Sequence, residues 1–220
     1  MKILATADFH GSLEASKRTA LKAKNIDANV VVVCGDITHF GSFKDAEKVL
    51  SPLTALKLPV LYVPGNCDPP SLIEREIEDV QCIHGKCRTI GNLSFIGAGN
   101  IPVDRVHPSP LEFSDEEIFA ALTQGLKQCS SQRSVIVVAH SPPMNTKLDI
   151  AHFGGHVGSP SLRYFIEQNW PSMVFCGHIH EARGIDYIGD TVVVNTGAAR
   201  HGYCATANFN KKVEVQLDHL

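Results

Sequence analysis

The sequence lacks any apolar run long enough to cross a membrane, and it shows no secretory leader. A membrane-spanning helix needs about 20 consecutive apolar residues, and no stretch of these 220 residues approaches that length. The first residues, Met1 to Asp8, reach an acidic side chain too soon for a signal peptide. We therefore expect a cytoplasmic protein without a membrane partner.

A strong net charge and paired cysteines are also missing. The chain carries 20 basic and 23 acidic residues, and its net charge of −3 does not indicate a nucleic-acid partner. Its seven cysteines contain no Cys-x-x-Cys pair, and Cys82 and Cys87 are only a C-x4-C spacing. An all-thiolate zinc site is therefore not expected. We interpret most of the cysteines as small buried side chains in a reducing compartment.

Two common catalytic signatures are absent, namely Gly-x-Ser-x-Gly and Gly-x4-Gly-Lys-Ser/Thr. Histidine, by contrast, is abundant, with 11 residues, more than packing alone requires. The composition, 44% hydrophobic and 20% charged, is that of an ordinary globular protein. We expect one domain over residues 1–220, with one large core.

Five apolar runs end in polar residues that are able to do chemistry. The clearest run comprises four valines and Cys34, followed by Gly35 and Asp36, and it is typical of a strand buried on both faces. The other four runs end in Asp8-Phe9-His10, Gly65-Asn66-Cys67-Asp68, Ala139-His140 and Gly177-His178-Ile179-His180. Open α/β proteins place their sites at the carboxyl ends of strands, so we interpret these residues as one site.

The order of the segments predicts an α/β protein whose first strands are parallel. A strand over Lys2–Ala7, a helix capped by Ser12 and the valine strand form a βαβ unit. If the extended geometry of the first strand continues, Asp8 and His10 point to the same side. A second helix over 43–56 contains Pro52, which predicts a kink or a restart.

The later segments are shorter and less regular. The stretch 97–113 has no periodicity and predicts a long loop that could line a substrate cleft. After residue 183, four short segments joined by turns predict antiparallel strands.

The polar strand ends supply a mixed set of candidate metal ligands. They are Asp8, His10, Asp36, Asn66, His140, His178 and His180. Carboxylates with imidazoles suit borderline divalent metals, and seven ligands are too many for one ion. Two ions about 3.5–4 Å apart that share one carboxylate would use the whole set, as in enzymes that displace groups at phosphorus. We expect manganese foremost, with zinc, iron, nickel or magnesium as alternatives.

In order and spacing, from residue 8 to residue 180, this series resembles the calcineurin-like metallophosphoesterase superfamily. The resemblance implies a four-layer α/β sandwich, with two mixed β-sheets face to face and flanked by helices. It also implies that Asp36 bridges two ions, with a hydroxide between them as the nucleophile on a phosphoester. The other ligands would divide into Asp8, His10 and His180 on one ion, and Asn66, His140 and His178 on the other.

One position departs from the usual pattern of that superfamily. Many members have a proton-donating histidine after the metal-binding asparagine, whereas this chain has Cys67. The Asn-Cys-Asp form is similar to small bacterial and archaeal phosphodiesterases. We therefore expect a phosphodiesterase for a small-molecule or nucleotide substrate. A phosphomonoesterase, including a protein phosphatase, and a non-catalytic scaffold on the same fold remain alternatives, although the presence of all seven ligands favours an enzyme.

The expected roles follow from these positions. The candidate catalytic residues are Asp36, Asn66 and His140. The candidate substrate-binding residues are Cys67, Asp68, Asn100, His152 and His156. The last two lie in a glycine-rich loop before a helix, which indicates either an anion site or a merely flexible loop. We interpret the remaining histidines as structural or solvated, namely His39, His84, His107, His201 and His219. The sequence leaves open whether the protein forms a homo-oligomer.

Overall fold

The computed structural model describes residues 1–99, 109–129, 134–210 and 213–220. These residues form two six-stranded sheets. The strands of the first sheet are β1 (Lys2–Thr6), β2 (Val30–Cys34), β3 (Val60–Val63), β4 (Val80–Cys82), β11 (Tyr203–Phe209) and β12 (Val213–His219). The strands of the second sheet are β5 (Cys87–Ile90), β6 (Leu93–Ala98), β7 (Ser134–Ala139), β8 (Met173–Cys176), β9 (Gly184–Ile188) and β10 (Thr191–Asn195).

Helices connect these strands. They are α1 (Leu13–Asn25), α2 (Phe43–Thr54), α3 (Ser71–Glu74), α4 (Asp115–Lys127) and α5 (Pro160–Asn169), with 3-10 turns at His180–Ala182 and Ala199–His201. None of the helices described here combines the length and apolarity needed to cross a membrane.

Both sheets are mixed, which confirms the expected four-layer sandwich. The first sheet has the order β12-β11-β1-β2-β3-β4, with β1 to β4 parallel and β11 and β12 antiparallel. The second has the order β5-β6-β7-β8-β10-β9. The late strands pair antiparallel as expected, β9 with β10 and β11 with both β12 and β1, while β10 also lies parallel to β8. The chain first forms β9 at the sheet edge and then turns back, so β10 is antiparallel only to β9.

The valine strand β2 is buried on both faces, as its sequence predicts. Val31 and Val33 pack in the core beneath α1 and α2. Val30, Val32 and Cys34 pack in the core between the two sheets. This strand therefore joins the two cores and fixes the position of the loop that follows it.

Helix α2 continues through Pro52 and ends at Thr54, two residues before the predicted end. A proline inside a helix cannot donate to the carbonyl group four residues earlier. Here the hydroxyl of Ser51 donates to the carbonyl oxygen of Lys48 at 2.8 Å. This local bond supplies a partner for the carbonyl group that Pro52 leaves unpaired.

One cysteine pair was not foreseen from the sequence. Cys87 and Cys129 form a disulfide across a separation of 42 residues, with their Cα atoms 5.8 Å apart. The bond connects the start of β5 to the segment after α4. Cys34, Cys67 and two others, Cys176 and Cys204, are buried as expected.

Candidate metal centre

The polar residues meet because the strands that deliver them end at one edge of the sandwich. Strands β1, β2 and β3 are parallel, so the loops after them lie side by side. Strands β7 and β8 are parallel in the other sheet, and β7 packs against β2 and β3. The first sheet thus contributes the acidic and amide side chains together with His10, and the second contributes His140, His178 and His180.

The loop after β1 is not a continuation of the strand. Asp8 and His10 have φ values of 57° and 45°, in the left-handed region that L-residues seldom adopt. The amide N–H groups of Asp8 and His10 donate to the carbonyl oxygens of Gly35 and Asp36 at 3.0 and 2.9 Å. The extended geometry on which the sequence argument depended therefore does not continue, and hydrogen bonds to the next loop bring the two side chains together instead.

One group of facing ligand atoms comes from Asp8, His10 and His180, and these atoms lie within 4.8 Å of one another. Nε2 of His180 lies 3.5 Å from Oδ1 of Asp8 and 3.4 Å from Nε2 of His10. Asp8 is fully buried, and its Oδ2 accepts the backbone N–H of His178 at 3.1 Å. Within the described residues, Asp8 Oδ1 has no hydrogen-bond partner. A buried carboxylate oxygen without a donor is suited to a cation.

A second group comes from Asp36, His140 and His178. Nε2 of His140 lies 3.5 Å from Oδ1 of Asp36 and 3.0 Å from Oδ1 of Asn66. Its Nδ1 lies 2.8 Å from the carbonyl oxygen of Cys34, which can only accept a hydrogen bond. Nδ1 of the neutral ring therefore carries the proton, and Nε2 presents a lone pair. Three acceptors then face one another, an arrangement that fits a metal ion.

Asp36 lies between the two groups. Its Oδ2 is 3.6 Å from Nε2 of His10, and its Oδ1 is 3.5 Å from Nε2 of His140. Oδ1 also accepts the backbone N–H of Cys67 at 2.9 Å. A Cβ atom on Gly65 would lie 2.2 Å from Oδ1, so only glycine lets this loop pass the carboxylate.

The charges in the site match what divalent metals require. Burial lowers the pKa of His10 and of His178 to about 4 in each case. Burial acts to raise the pKa of Asp8, but contact with His180 and the charges of nearby histidines outweigh it, so this pKa is lowered. At neutral pH His10 and His178 are thus neutral imidazoles, and Asp8 is an ionised carboxylate. These donors, with the amide oxygen of Asn66, fit two divalent ions.

Two predicted substrate-binding residues, Cys67 and Asp68, lie beneath the site. Cys67 is buried, and its sulfur accepts from the side-chain amide of Asn66 at 3.6 Å. Asp68 is also buried, and its carboxylate accepts the N–H groups of Ile37, Thr38 and Gly65 at 3.1, 2.7 and 2.9 Å. Burial, followed by the charge of Asp36, raises the pKa of Asp68 to about 6. These contacts favour a role for Asp68 in shaping the loop rather than in touching substrate.

The other three candidates are more distant or lie outside the description. Asn100 is outside the described residues, as is most of the predicted cleft loop. His156 donates from Nδ1 to Oδ1 of the buried Asp149 at 2.8 Å. The side chain of His152 is 86% exposed, and its backbone N–H donates to Oε1 of Glu181 at 2.7 Å.

Asp149 also accepts the backbone N–H groups of Thr146 and Gly158, at 2.9 and 3.1 Å. These bonds hold the loop that carries His152 and His156. The anion site in this loop stays a prediction.

Two residues near the centre were missed. His39, interpreted as structural or solvated, lies with its Nδ1 3.3 Å from Nδ1 of His10. Its position three residues after Asp36 was the available signal. Arg200, near the carboxyl end of the chain, donates its backbone N–H to the carbonyl oxygen of Asp8 at 3.3 Å. The sequence around Arg200 carries no motif that indicates this contact.

Comparison with known proteins identifies relatives of both sequence and fold. Residues 1–182 match the family described as calcineurin-like phosphoesterase. An uncharacterised protein of Methanocaldococcus jannaschii is 39% identical over 199 residues, which cover 89% of this chain and 87% of that protein.

Two solved structures share the fold at lower identity. A dimetal phosphatase from Danio rerio has a TM-score of 0.67 at 15% identity, covering 100% of this chain and 96% of the other. An archaeal phosphodiesterase has a TM-score of 0.61 at 17% identity and covers 100% of both chains. These two similarities concern the fold alone.

Proposed function

This chain belongs to the calcineurin-like phosphoesterase family, and we propose that it is a two-metal phosphodiesterase for a small-molecule or nucleotide diester. The family consists of metal-dependent hydrolases of phosphoesters. The observation that carries the proposal is the position of Asp36, whose two oxygens face two separate groups of ligand atoms. The whole chain would act as one catalytic domain.

We assign one ion to Asp8, His10 and His180, and the other to Asn66, His140 and His178. Asp36 would contact both. When bound, two such ions stabilise the attacking and leaving oxygens of a displacement at phosphorus. Manganese is the proposed metal and the cytoplasm the proposed compartment.

The protein holds its ligands in place through backbone groups. The carbonyl oxygen of Cys34 orients His140, and the N–H of His178 orients Asp8. The N–H of Cys67 orients Asp36. Each contact uses main-chain atoms at the end of a strand or in the loop just after one, so the ligands need little rearrangement to bind metal.

The preference for diesters rests on Cys67, which occupies the position of the usual histidine donor. Burial, followed by the charge of Asp36, raises the pKa of this thiol well above its ordinary value. At neutral pH the sulfur therefore stays protonated, and a thiol is only a weak hydrogen-bond donor. A diester carries less negative charge than a monoester, so we expect the missing proton donor to slow its hydrolysis less.

The proposal is tested by measuring hydrolysis of paired aryl mono- and diesters by the purified protein, with each divalent metal added in turn. We expect metal-dependent turnover with a higher kcat/KM for the diester. Glu214→Gln, a change at an exposed residue of β12 at the edge of the first sheet, serves as a control and should leave turnover unchanged. Full activity after exhaustive chelation would reject the metal mechanism, and a higher kcat/KM for the monoester would reject the diesterase assignment.

A further inference from the structure

We propose that His39 and Phe40 form an aromatic subsite beside the metal centre that binds the nucleobase of a nucleotide substrate. This inference rests on the proposed phosphoesterase function and names its substrate class. It assigns a role to two side chains that the proposed ligand assignment leaves unused, and one of them, His39, also forms a group of facing ligand atoms with His10 and Cys67.

Phe40 is held in an unfavourable conformation with its ring in solvent. The residue is 59% exposed, and its φ of 57° lies in the left-handed region, where a bulky side chain is strained. Its backbone N–H donates to the carbonyl oxygen of Cys67 at 3.0 Å. The hydroxyl of Thr38 donates to the same oxygen at 3.1 Å. The loop thus presents the ring outward, against both its hydrophobicity and its backbone preference.

A continuous row of rings connects Phe40 to the metal ligands. The rings of Phe40 and His39 are 4.8 Å apart between centroids, with an interplanar angle of 56°. The rings of His39 and His10 are 5.3 Å apart at 75°. In a nucleotide, one sugar separates the base from its phosphorus. In this site, one ring separates Phe40 from the ligand His10, so a base could reach Phe40 while its phosphate lies at the metal centre.

The surface beside His39 has room for a sugar and base. A hollow of about 360 Å³ is lined by Gly11, Leu13, Thr38, His39, Gly41 and Lys48, among others, and Phe40, which is not in the lining, adjoins it through the ring of His39. This volume is at the lower end of the range for small-molecule sites. The carboxylate of Asp45, also in the lining, already accepts from the N–H and hydroxyl of Ser42. Lys48 in the same lining interacts with the charge of Asp45, so only part of its positive charge is available to an anionic substrate.

Aromatic side chains bind bases by stacking on their π-faces, with little dependence on base identity. Removing the Phe40 ring should therefore weaken binding of nucleotides but not of sugar phosphates. A phosphorylated protein side chain or a simple alkyl phosphate has no base to stack on Phe40, so this surface would add nothing to its affinity. The subsite would thus give nucleotide esters a higher affinity than other phosphoesters.

The test compares the affinities of adenosine 5′-monophosphate and ribose 5-phosphate for the manganese-loaded protein by calorimetry. The two ligands share a sugar and a phosphate and differ in the base. We expect wild type to prefer the nucleotide by about 10-fold, as one stacked base provides. Phe40→Asn should bring the two affinities within about 2-fold, because Asn tolerates positive φ but has no ring. Phe40→Tyr should keep the preference.

Phe153→Ala, a change of another exposed phenylalanine, is the control and should not alter the ratio. A ratio near one in wild type, or a ratio that Phe40→Asn leaves intact, overturns the subsite. So does loss of the preference in Phe40→Tyr. Binding does not require turnover, so a nucleotide preference that depends on Phe40 supports the subsite even if no diester is hydrolysed. A nucleotide preference that depends on Phe40, found together with no diester hydrolysis, would reject the proposed function and leave the subsite supported.

Discussion

The carbonyl oxygen of Cys34 lies 2.8 Å from Nδ1 of His140, across the interface between the two sheets. Cys34 ends β2, and His140 follows β7. Because a carbonyl oxygen only accepts, this contact keeps the proton on Nδ1 and leaves Nε2 to face Asp36. The backbone of one sheet thus decides which nitrogen the other sheet presents to the metals.

The residue after Cys34 should tolerate no side chain. Gly35 has a φ of 84°, and a Cβ atom there would lie 2.4 Å from Nδ1 of His140. Gly35→Ala combines backbone strain of about 1–2 kcal/mol with an overpacking cost of about 1–3 kcal/mol. We expect the free energy of unfolding, measured by urea titration, to fall by that sum, and the metal content to fall because His140 is displaced.

Gly154 provides a matched control for this change. It has a φ of 82°, and a Cβ atom there would have no neighbour within 4 Å among the described residues. Gly154→Ala should therefore cost only the backbone strain, about 1–2 kcal/mol. Equal losses in the two variants would show that the Gly35–His140 approach has no energetic importance.

Acid should destabilise the metal-free protein. His10 and His178 have pKa values of about 4 in the folded chain, against about 6.5 in an unfolded one. Between those values the unfolded chain binds more protons, so the free energy of unfolding falls as pH falls through this range. The slope should be up to about 1.4 kcal/mol per pH unit for each histidine.

His180 acts in the opposite sense, because Asp8 raises its pKa. Its stabilising contribution is present below about pH 6.5 and is lost as pH rises through the folded value. Urea titrations of wild type and His10→Asn from pH 4 to 8 separate the two effects. The variant should show a shallower slope below pH 6.5, and an unchanged slope would argue against a neutral buried His10.

Loss of the Cys67 thiol should cost little activity. Its raised pKa keeps it protonated, and its backbone N–H, which binds Asp36, remains in any substitution. We expect Cys67→Ala to hydrolyse aryl diesters within about 10-fold of wild type. A loss above about 10²-fold, or about 2.7 kcal/mol of barrier, with metal content unchanged, would give the thiol a direct role.

Cys67→His should raise monoesterase activity relative to diesterase activity, since it restores a donor at the usual position. Asp68 already accepts three backbone N–H groups. It would have to break one of them to orient the new ring. The gain is therefore expected to be smaller than the roughly 10²–10⁴-fold of a fully oriented acid. An unchanged ratio of kcat/KM values for paired aryl esters would contradict the role of this position.

The sequence predicts that the candidate ligands meet better than it predicts their surroundings. Parallel strands end at a common edge, so the residues after β1, β2 and β3 had to meet once their order was known. The left-handed conformations of Asp8 and His10 have no such signal, because they depend on hydrogen bonds to a loop distant in the chain. Pairing of Cys87 with Cys129 likewise follows from the packing of α4 beside β6.

The role of His39 was missed for a related reason. A single histidine after a motif is more often solvated than functional, and only the turn at Thr38 brings its ring to His10. Asp68 shows the reverse case. Its place beside the ligand Asn66 indicated a substrate contact, whereas its burial and three N–H donors became visible only in the fold.

The metal content of the Asp36→Asn protein, measured by elemental analysis after loading with manganese and desalting, tests the central claim most directly. Asp36 is the one residue assigned to both ions. Wild type should retain about two ions per chain, His10→Ala about one, and Asp36→Asn fewer than one, with diesterase activity lost in parallel. Two tightly bound ions per chain in Asp36→Asn would contradict the bridging role of this carboxylate.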